Sequence, residues 1–508
     1  MAEAPESLMA VLRDAASGAL AHRFPARWLE EHGVLPLRLE NDVAIVAAEG
    51  AIAPFVLDAL SRGLASHVHT LHAPVAEIRA ALVGAPRDSR AQTQQSALQG
   101  DRTDSLDELR ALASREPVIQ VVNALLSEAV RANASDVHFE STADGLRVRM
   151  RRDGVLHDVQ QLGPAFQSGV LSRLKVVAGL DIAERRLPQD GRARVRIDSR
   201  EVDIRVSTLP ALHGESLVLR LLDSGVDGAR TLEDLGITAS TRSAWSQLLA
   251  RSSGLLLVTG PTGSGKTTTL YAALAERSTT GVKVVTVEDP VEYRLDGVVQ
   301  LPVNPKAGFG FANALRAILR HDPDVILVGE MRDVETAEIA VQAALTGHLV
   351  LSTLHTTDAS GALARLTEMG VPSYLLAATL HGVLAQRLVR LTCQQCGAWR
   401  PLSGEEVALA RAVSPALDPP VTRVFQGVGC DACAGTAFRG RAAIAELLIM
   451  DDTLRAAFTN GVSLDALRTT ARGRGVQSLM YDGWRAVRDG RTTVAEVLRV
   501  VSDEDVGA

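Results

Sequence analysis

The residues best suited to chemistry lie in one stretch, Gly260-Pro261-Thr262-Gly263-Ser264-Gly265-Lys266-Thr267-Thr268. It fits G-x-x-x-x-G-K-[ST], a loop that cradles nucleotide phosphates. The glycines let the backbone curl so that its N–H groups converge on phosphate oxygens. The helix that follows adds the positive end of its dipole. Lys266 is placed to reach the β- and γ-phosphates of ATP, and the Thr267 hydroxyl to hold Mg²⁺. The stretch specifies a nucleoside triphosphate and is silent on what the energy drives.

Carboxylates come next. The apolar run Val282–Val287 ends in Glu288-Asp289-Pro290-Val291-Glu292, and Val325-Ile326-Leu327-Val328 ends in Gly329-Glu330. Acidic residues at the carboxyl ends of parallel strands sit at the ligand crevice of an α/β sheet. Gly329 stands where a Walker B aspartate is usual, so metal contact rests more on Thr267, water and Glu330. Glu292 and Glu330 are the candidates to orient or deprotonate an attacking water. A further strand, His348 to His355, carries a histidine at each end; these read as γ-phosphate sensors or subunit-contact residues. Arg192 and Arg205 sit beside a turn and on a short strand. They matter because a P-loop enzyme uses an arginine from outside its own domain to stabilise transition-state charge. Arg147, Arg149 and Arg151 share one face of an alternating strand, a surface for phosphate or for an acidic neighbour.

Cys393-x-x-Cys396 and Cys430-x-x-Cys433 are the only cysteines. Two such pairs suit a closed, tetrahedral, structural Zn²⁺ site, with a redox dithiol as the alternative.

These residues need elements to hold them. Leu255–Thr259 reads as a buried strand and Thr269–Glu276 as a helix, so the glycine loop has the strand–loop–helix context it requires. Residues 1–83 read as a small α/β module with a hairpin about Asn41-Asp42. Residues 84–105 contain almost nothing to bury and read as a flexible linker. Val118, Val121, Val122, Leu125 and Ala129 recur at helical spacing in a second domain, 106–228. Residues 229–508 follow as the nucleotide domain, with the cysteines in a subdomain at 390–440 and short helices after it. Aromatic residues make up only 3 % of the chain, so the core must be aliphatic. The net charge of −7 argues against a nucleic-acid partner. No apolar run approaches the length of a membrane span, and the first residues do not form a secretory signal; a cytoplasmic chain is expected.

The motifs together resemble the secretion ATPase superfamily. Gly260 to Thr268 is similar to its Walker A motif, Val287 to Glu292 to its Asp box, and Leu319 to Asp324 to its Walker B region. Val303 to Gly308 matches its connecting segment, and Thr346-Gly347-His348 to Thr357 its His box. Within it, the cysteine pairs, Leu187 to Arg192, Ser207 to Pro210 and His213 to Ser216 resemble the type II secretion (GspE-type) ATPases most, with type IV pilus extension ATPases close behind. The resemblance implies an α/β fold: a RecA-like P-loop core, a PAS-like second domain, a small mobile N-terminal module and a tetracysteine zinc subdomain. It implies a homohexamer on the cytoplasmic face of the inner membrane. The first module would dock onto the cytoplasmic domain of a membrane-anchored secretion-platform protein. By position, Glu292 resembles the family's catalytic glutamate, Glu330 its Walker B partner, and Arg192 and Arg205 the arginines that reach the nucleotide from the second domain. A different class of reading is a nucleotide-gated assembly scaffold whose turnover is incidental.

Overall fold

The computed structural model describes scattered residues between 11 and 64, residues 34–40, 43–48 and 67–84, then 106–198, 200–222, 231–304, 307–413, 417 and 420–501. The chain divides into two compact units, Met1–Asp104 and Ser105–Ala508.

The first unit holds β1 (Val34–Glu40), β2 (Val43–Ala48), β3 (His67–His72) and α1 (Val75–Gly84). β1 and β2 pair antiparallel, as the expected hairpin requires, and β3 adds parallel to β2. Leu35, Val46, Leu60 and Ile78 are buried in its core. The turn at Asn41-Asp42 and the linker after Gly84 lie outside the described residues.

The second unit opens with α2 (Leu106–Ala113) and α3 (Glu116–Arg131). Pro117 in the first turn of α3 has no N–H to waste there. Val118, Val122, Leu125 and Ala129 form its buried face, and Asn133, left-handed at φ 48°, follows its end. Then come β4 (Asp136–Thr142), β5 (Gly145–Arg152), β6 (Val155–Leu162), α4 (Pro164–Val177), β7 (Gln189–Ile197), β8 (Arg200–Ala211) and β9 (Gly214–Leu222). The six strands form an antiparallel sheet in the order β6-β5-β4-β9-β8-β7. Strict alternation along β5 and β8 sends Leu146, Val148, Met150, Val202, Ile204 and Val206 into the core with the helices. The opposite face is left polar.

A second sheet follows. Its elements are α5 (Ala239–Leu249), β10 (Gly254–Thr259), α6 (Lys266–Arg277), β11 (Val284–Glu288), β12 (Val298–Pro302), α7 (Phe311–Ile318), β13 (Val325–Val328), α8 (Val334–Leu345), β14 (Leu349–Leu354), α9 (Ala359–Glu368), α10 (Ser373–Thr379) and β15 (Leu380–Thr392). After β16 (Gly397–Pro401), α11 (Gly404–Val413) and β17 (Arg423–Gly427), β18 (Phe438–Ile449) closes the sheet as an antiparallel edge on β15. The order is β12-β11-β13-β14-β10-β15-β18. β10, β11, β13 and β14 are buried along their whole length, as expected of parallel strands covered on both faces. Leu255, Leu257, Ile326 and Val350 pack into one aliphatic layer, Leu256, Val258, Leu327 and Leu351 into the other. Four short helices end the fold: α12 (Asp452–Thr459), α13 (Leu464–Gly473), α14 (Leu479–Arg488) and α15 (Val494–Val500). Each is capped by a side-chain oxygen, from Asp451, Ser463, Ser478 and Thr493. No described helix is long and apolar enough to cross a membrane.

Candidate functional site

Parallel pairing brings the candidate residues to one edge. Thr259 is level with Leu354, Val328 with Ser352, and Val287 with Val328. The glycine loop, Asp289–Glu292, Gly329-Glu330 and His355 therefore all leave the sheet at the carboxyl ends of adjacent strands.

The loop is tightly curled. Gly263 and Gly265 are left-handed at φ 80° and 88°, and a Cβ on Gly260 would sit 2.5 Å from the Gln386 carbonyl oxygen. The Ser264 hydroxyl is buried with no hydrogen-bond partner. Lys266 begins α6, and its Nζ donates to the carbonyls of Gly260 (2.8 Å) and Pro261 (3.0 Å). Burial lowers its pKa to about 8; the Glu330 carboxylate opposes the shift and Arg387 adds to it. An orphaned hydroxyl, a curled backbone and a desolvated ammonium fit a polyanion in this cradle.

Glu330 is largely buried between two partners, Arg332 Nη2 at 2.6 Å and His355 Nε2 at 3.7 Å. Burial, then Lys266, lowers the His355 pKa, so it is a neutral partner at pH 7. Gly329 has a steric reason: a Cβ there would lie 3.2 Å from Val287 O and 3.4 Å from Glu288 Cα. An aspartate at this position would crowd β11. His348 does not join the site. It precedes β14 at the opposite end, where its carbonyl accepts from Gly254 N–H and its Nδ1 lies 2.9 Å from Ala343 O. Six strand residues, about 20 Å, separate it from the loop, so within one chain only His355 of the two histidines lies beside the glycine loop.

The six-stranded sheet contributes arginines. Arg205 on β8 donates from Nη2 to Glu292 Oε2 at 3.3 Å. Register places Arg192 opposite Arg205, Arg205 opposite Arg220, and Arg220 and Arg151 on either side of Asp136. One rung of the sheet thus carries four arginines and one aspartate. Asp136 pairs with Arg220 at 2.8 Å and with Arg151 at 3.7 Å. Burial raises its pKa, but the Arg220 and Ser135 hydrogen bonds outweigh that and hold it below the usual range. Desolvation, with Arg192 and Arg220 close by, lowers the pKa of Arg205 against the pull of Glu292. The other arginines of β5 meet acidic neighbours within the sheet, Arg147 with Asp158 and Arg149 with Glu140. Of the two readings of that face, the acidic neighbour holds.

Three residues escape the sequence reading. Arg220 stands alone in the apolar run Leu217–Leu222, and only strand register sets it beside Arg205. Gln386 and Arg387 lie in the buried middle of β15. Gln386 Nε2 donates to Ser264 O at 2.7 Å, and its Oε1 accepts from Thr269. Arg387 donates to Thr357 O and Val500 O. A polar pair inside a buried strand was the available signal.

The cysteine pairs converge. Cys393 directly follows β15, and Cys430 precedes and Cys433 ends a single 3₁₀ turn after β17. The four sulfurs all lie within 4.8 Å of one another, with separations of 3.9 Å (Cys393–Cys430), 3.9 Å (Cys396–Cys433) and 3.8 Å (Cys430–Cys433). Tetrahedral bonds of about 2.3 Å to zinc place sulfurs about 3.8 Å apart, so this donor set fits a Zn²⁺ ion and its spacing is too long for disulfides.

Comparison with known proteins agrees with this geometry. The family described as Type II/IV secretion system protein matches residues 111–499. The "Type II secretion system protein E" of Pseudomonas aeruginosa is 48 % identical over 405 residues, 80 % of this chain and 79 % of that protein. The "Type II secretion system ATPase E" of Vibrio cholerae is 46 % identical over 387 residues, 76 % of each. Among solved structures, the pilus retraction motor PilT with bound ADP is 25 % identical with a TM-score of 0.52, covering 75 % of this chain and 97 % of PilT. With the glycine loop, the acidic strand ends and the tetracysteine cluster in place, the chain belongs to the type II/IV secretion system protein family.

Proposed function

We propose that the protein is an ATP-hydrolysing motor that powers export through a type II secretion system by driving pseudopilus assembly. It would act as a homohexamer peripheral to the inner membrane. The observation that carries the reading is Arg205 on Glu292, a contact from the six-stranded sheet to an acidic strand end beside the phosphate loop. We further propose that residues 1–83 dock onto the cytoplasmic domain of a secretion-platform protein. Residues 84–105 would be a tether, 106–228 the arginine-bearing domain and 229–508 the ATPase domain. Relatives that share most of this chain carry type II secretion names, which favours export over pilus extension.

In this mechanism the N–H groups of Thr262–Gly265 and the Lys266 ammonium hold the phosphates. Bound Mg²⁺ supplies charge neutralisation, with Thr267 Oγ1 and Glu330 as the groups to hold it. The Glu292 carboxylate orients the attacking water and accepts its proton. Arg205 and Arg192 offer positive charge to the phosphoryl group in the transition state. His355 keeps Glu330 in place as a neutral neighbour. The four cysteines would hold Zn²⁺ as a structural clamp remote from turnover.

Two variants test the reading. Lys266→Ala is expected to abolish Mg-ATP hydrolysis and export. Glu292→Gln is expected to keep nucleotide binding and lose both turnover and export. Normal hydrolysis by Lys266→Ala overturns the mechanism, and export by a Glu292→Gln protein that binds but does not turn over ATP would favour a nucleotide-gated scaffold.

A further inference from the structure

Behind the acidic strand end lies a buried polar cluster that the mechanism above does not use. Tyr271 is on α6, five residues after Lys266, and is fully buried. Its hydroxyl donates to the Glu288 carboxylate, which accepts also from Thr286 Oγ1 (2.6 Å) and Gln300 Nε2 (3.2 Å). Glu288 is nearly as buried, and among the described residues no cation pairs with it. Three neutral donors satisfy it instead.

The same tyrosine oxygen faces the loop that carries Glu292. It accepts the Glu292 backbone N–H at 3.3 Å and Gln300 Nε2–H at 3.4 Å. Gln300 closes the arrangement: it donates to Tyr293 O at 3.1 Å and accepts from Leu295 N–H at 2.8 Å. The Tyr271 and Tyr293 rings meet edge to face at 4.6 Å. A hydroxyl that donates to a carboxylate becomes a better acceptor, so these bonds reinforce one another. Burial and the Glu288 charge push the Tyr271 pKa up, so the hydroxyl stays protonated as a donor.

We propose that Tyr271 is a positioning residue for Glu292, tying the main chain of that residue to the helix that begins with the phosphate-binding Lys266. The Glu292 side chain is held by Arg205 from one side and its backbone by Tyr271 from the other. Phosphate contact at the start of α6 and water activation at Glu292 are thereby set by one rigid element. The inference rests on Glu292 being the carboxylate that activates water.

The test is steady-state ATP hydrolysis by the full chain, with Tyr271→Phe, Glu292→Gln and the double variant. Phenylalanine keeps the ring packing and removes only the hydroxyl, leaving Glu292 N–H and one Glu288 oxygen short of a partner. Tyr271→Phe is expected to lower kcat about tenfold, to leave KM for ATP within twofold, and to add no further loss in the Glu292→Gln background. Unchanged kcat overturns the inference. So does a KM that rises with the fall in kcat, or a Tyr271→Phe loss that multiplies in full with that of Glu292→Gln. If Glu292→Gln alone turns over ATP normally, the reading of Glu292 itself fails. If it does not and Tyr271→Phe does, only the positioning role fails.

Discussion

Nucleotide binding at Lys266 is expected to take up a proton. The Lys266 pKa falls from 10.5 to about 8 because the ammonium is desolvated at the start of α6 and has only two carbonyls to hold it. That shift corresponds to about 3 kcal/mol of unfavourable charge burial. Phosphates entering the loop supply the missing counter-charge and restore the pKa toward its ordinary value. The bound form therefore holds the proton more tightly than the free form. Affinity is full below about pH 8 and is lost as pH rises through the free-state pKa, at roughly tenfold per pH unit. Binding takes up about 0.5 proton at pH 8 and about 0.9 at pH 9. Titration calorimetry of ADP, in chelator so that no metal contributes, reads this directly. Run in two buffers of different ionisation enthalpy, the observed heats should diverge by those proton numbers. ADP is fully ionised in this range and adds none of its own. Lys266→Arg keeps a cation that does not titrate, so its heats should be buffer-independent. Identical wild-type heats in the two buffers at pH 9, or the same uptake by Lys266→Arg, would refute the reasoning.

Arg205→Ala separates function from stability. Arg205 and Glu292 are both partly exposed, so losing the pair should cost under about 1 kcal/mol in a denaturant melt, while kcat for ATP drops; normal kcat would remove Arg205 from the mechanism. Cys393→Ser should abolish a zinc content of about one ion per chain and destabilise the segment between β15 and β18. Metal analysis with a thermal melt checks this, and stable, metal-free wild-type protein would exclude the zinc site.

The level of detail legible in the sequence varied with the kind of interaction. The glycine loop was readable because a contiguous backbone shape is written as local residue type. The cysteine pairs were readable for a related reason: few roles other than metal binding or redox chemistry use thiols at that spacing. The β5 arginines were visible as a face, but whether phosphate or acid lay opposite depended on which strands flank β5. Asp158 and Glu140 became the partners once β6 and β4 paired with it. His348 and His355 looked equivalent in the sequence, as two ends of one strand. The direction of β14 relative to β10 separates them, because only the carboxyl end of a parallel strand meets the phosphate loop.

By itself, then, the sequence determined what is local: the glycine loop between strand and helix, the buried strands and the sulfur donors. Tertiary structure alone decided what is pairwise and distant. It set Arg205 on Glu292 and Arg220 beside Arg205, seated Gln386 under Ser264, and placed Tyr271 against the backbone of Glu292. Backbone shape and periodicity follow from neighbouring residues through sterics and solvation. Which side chains face one another across a sheet or a cleft follows from register and packing, and these are settled only when the aliphatic layers close.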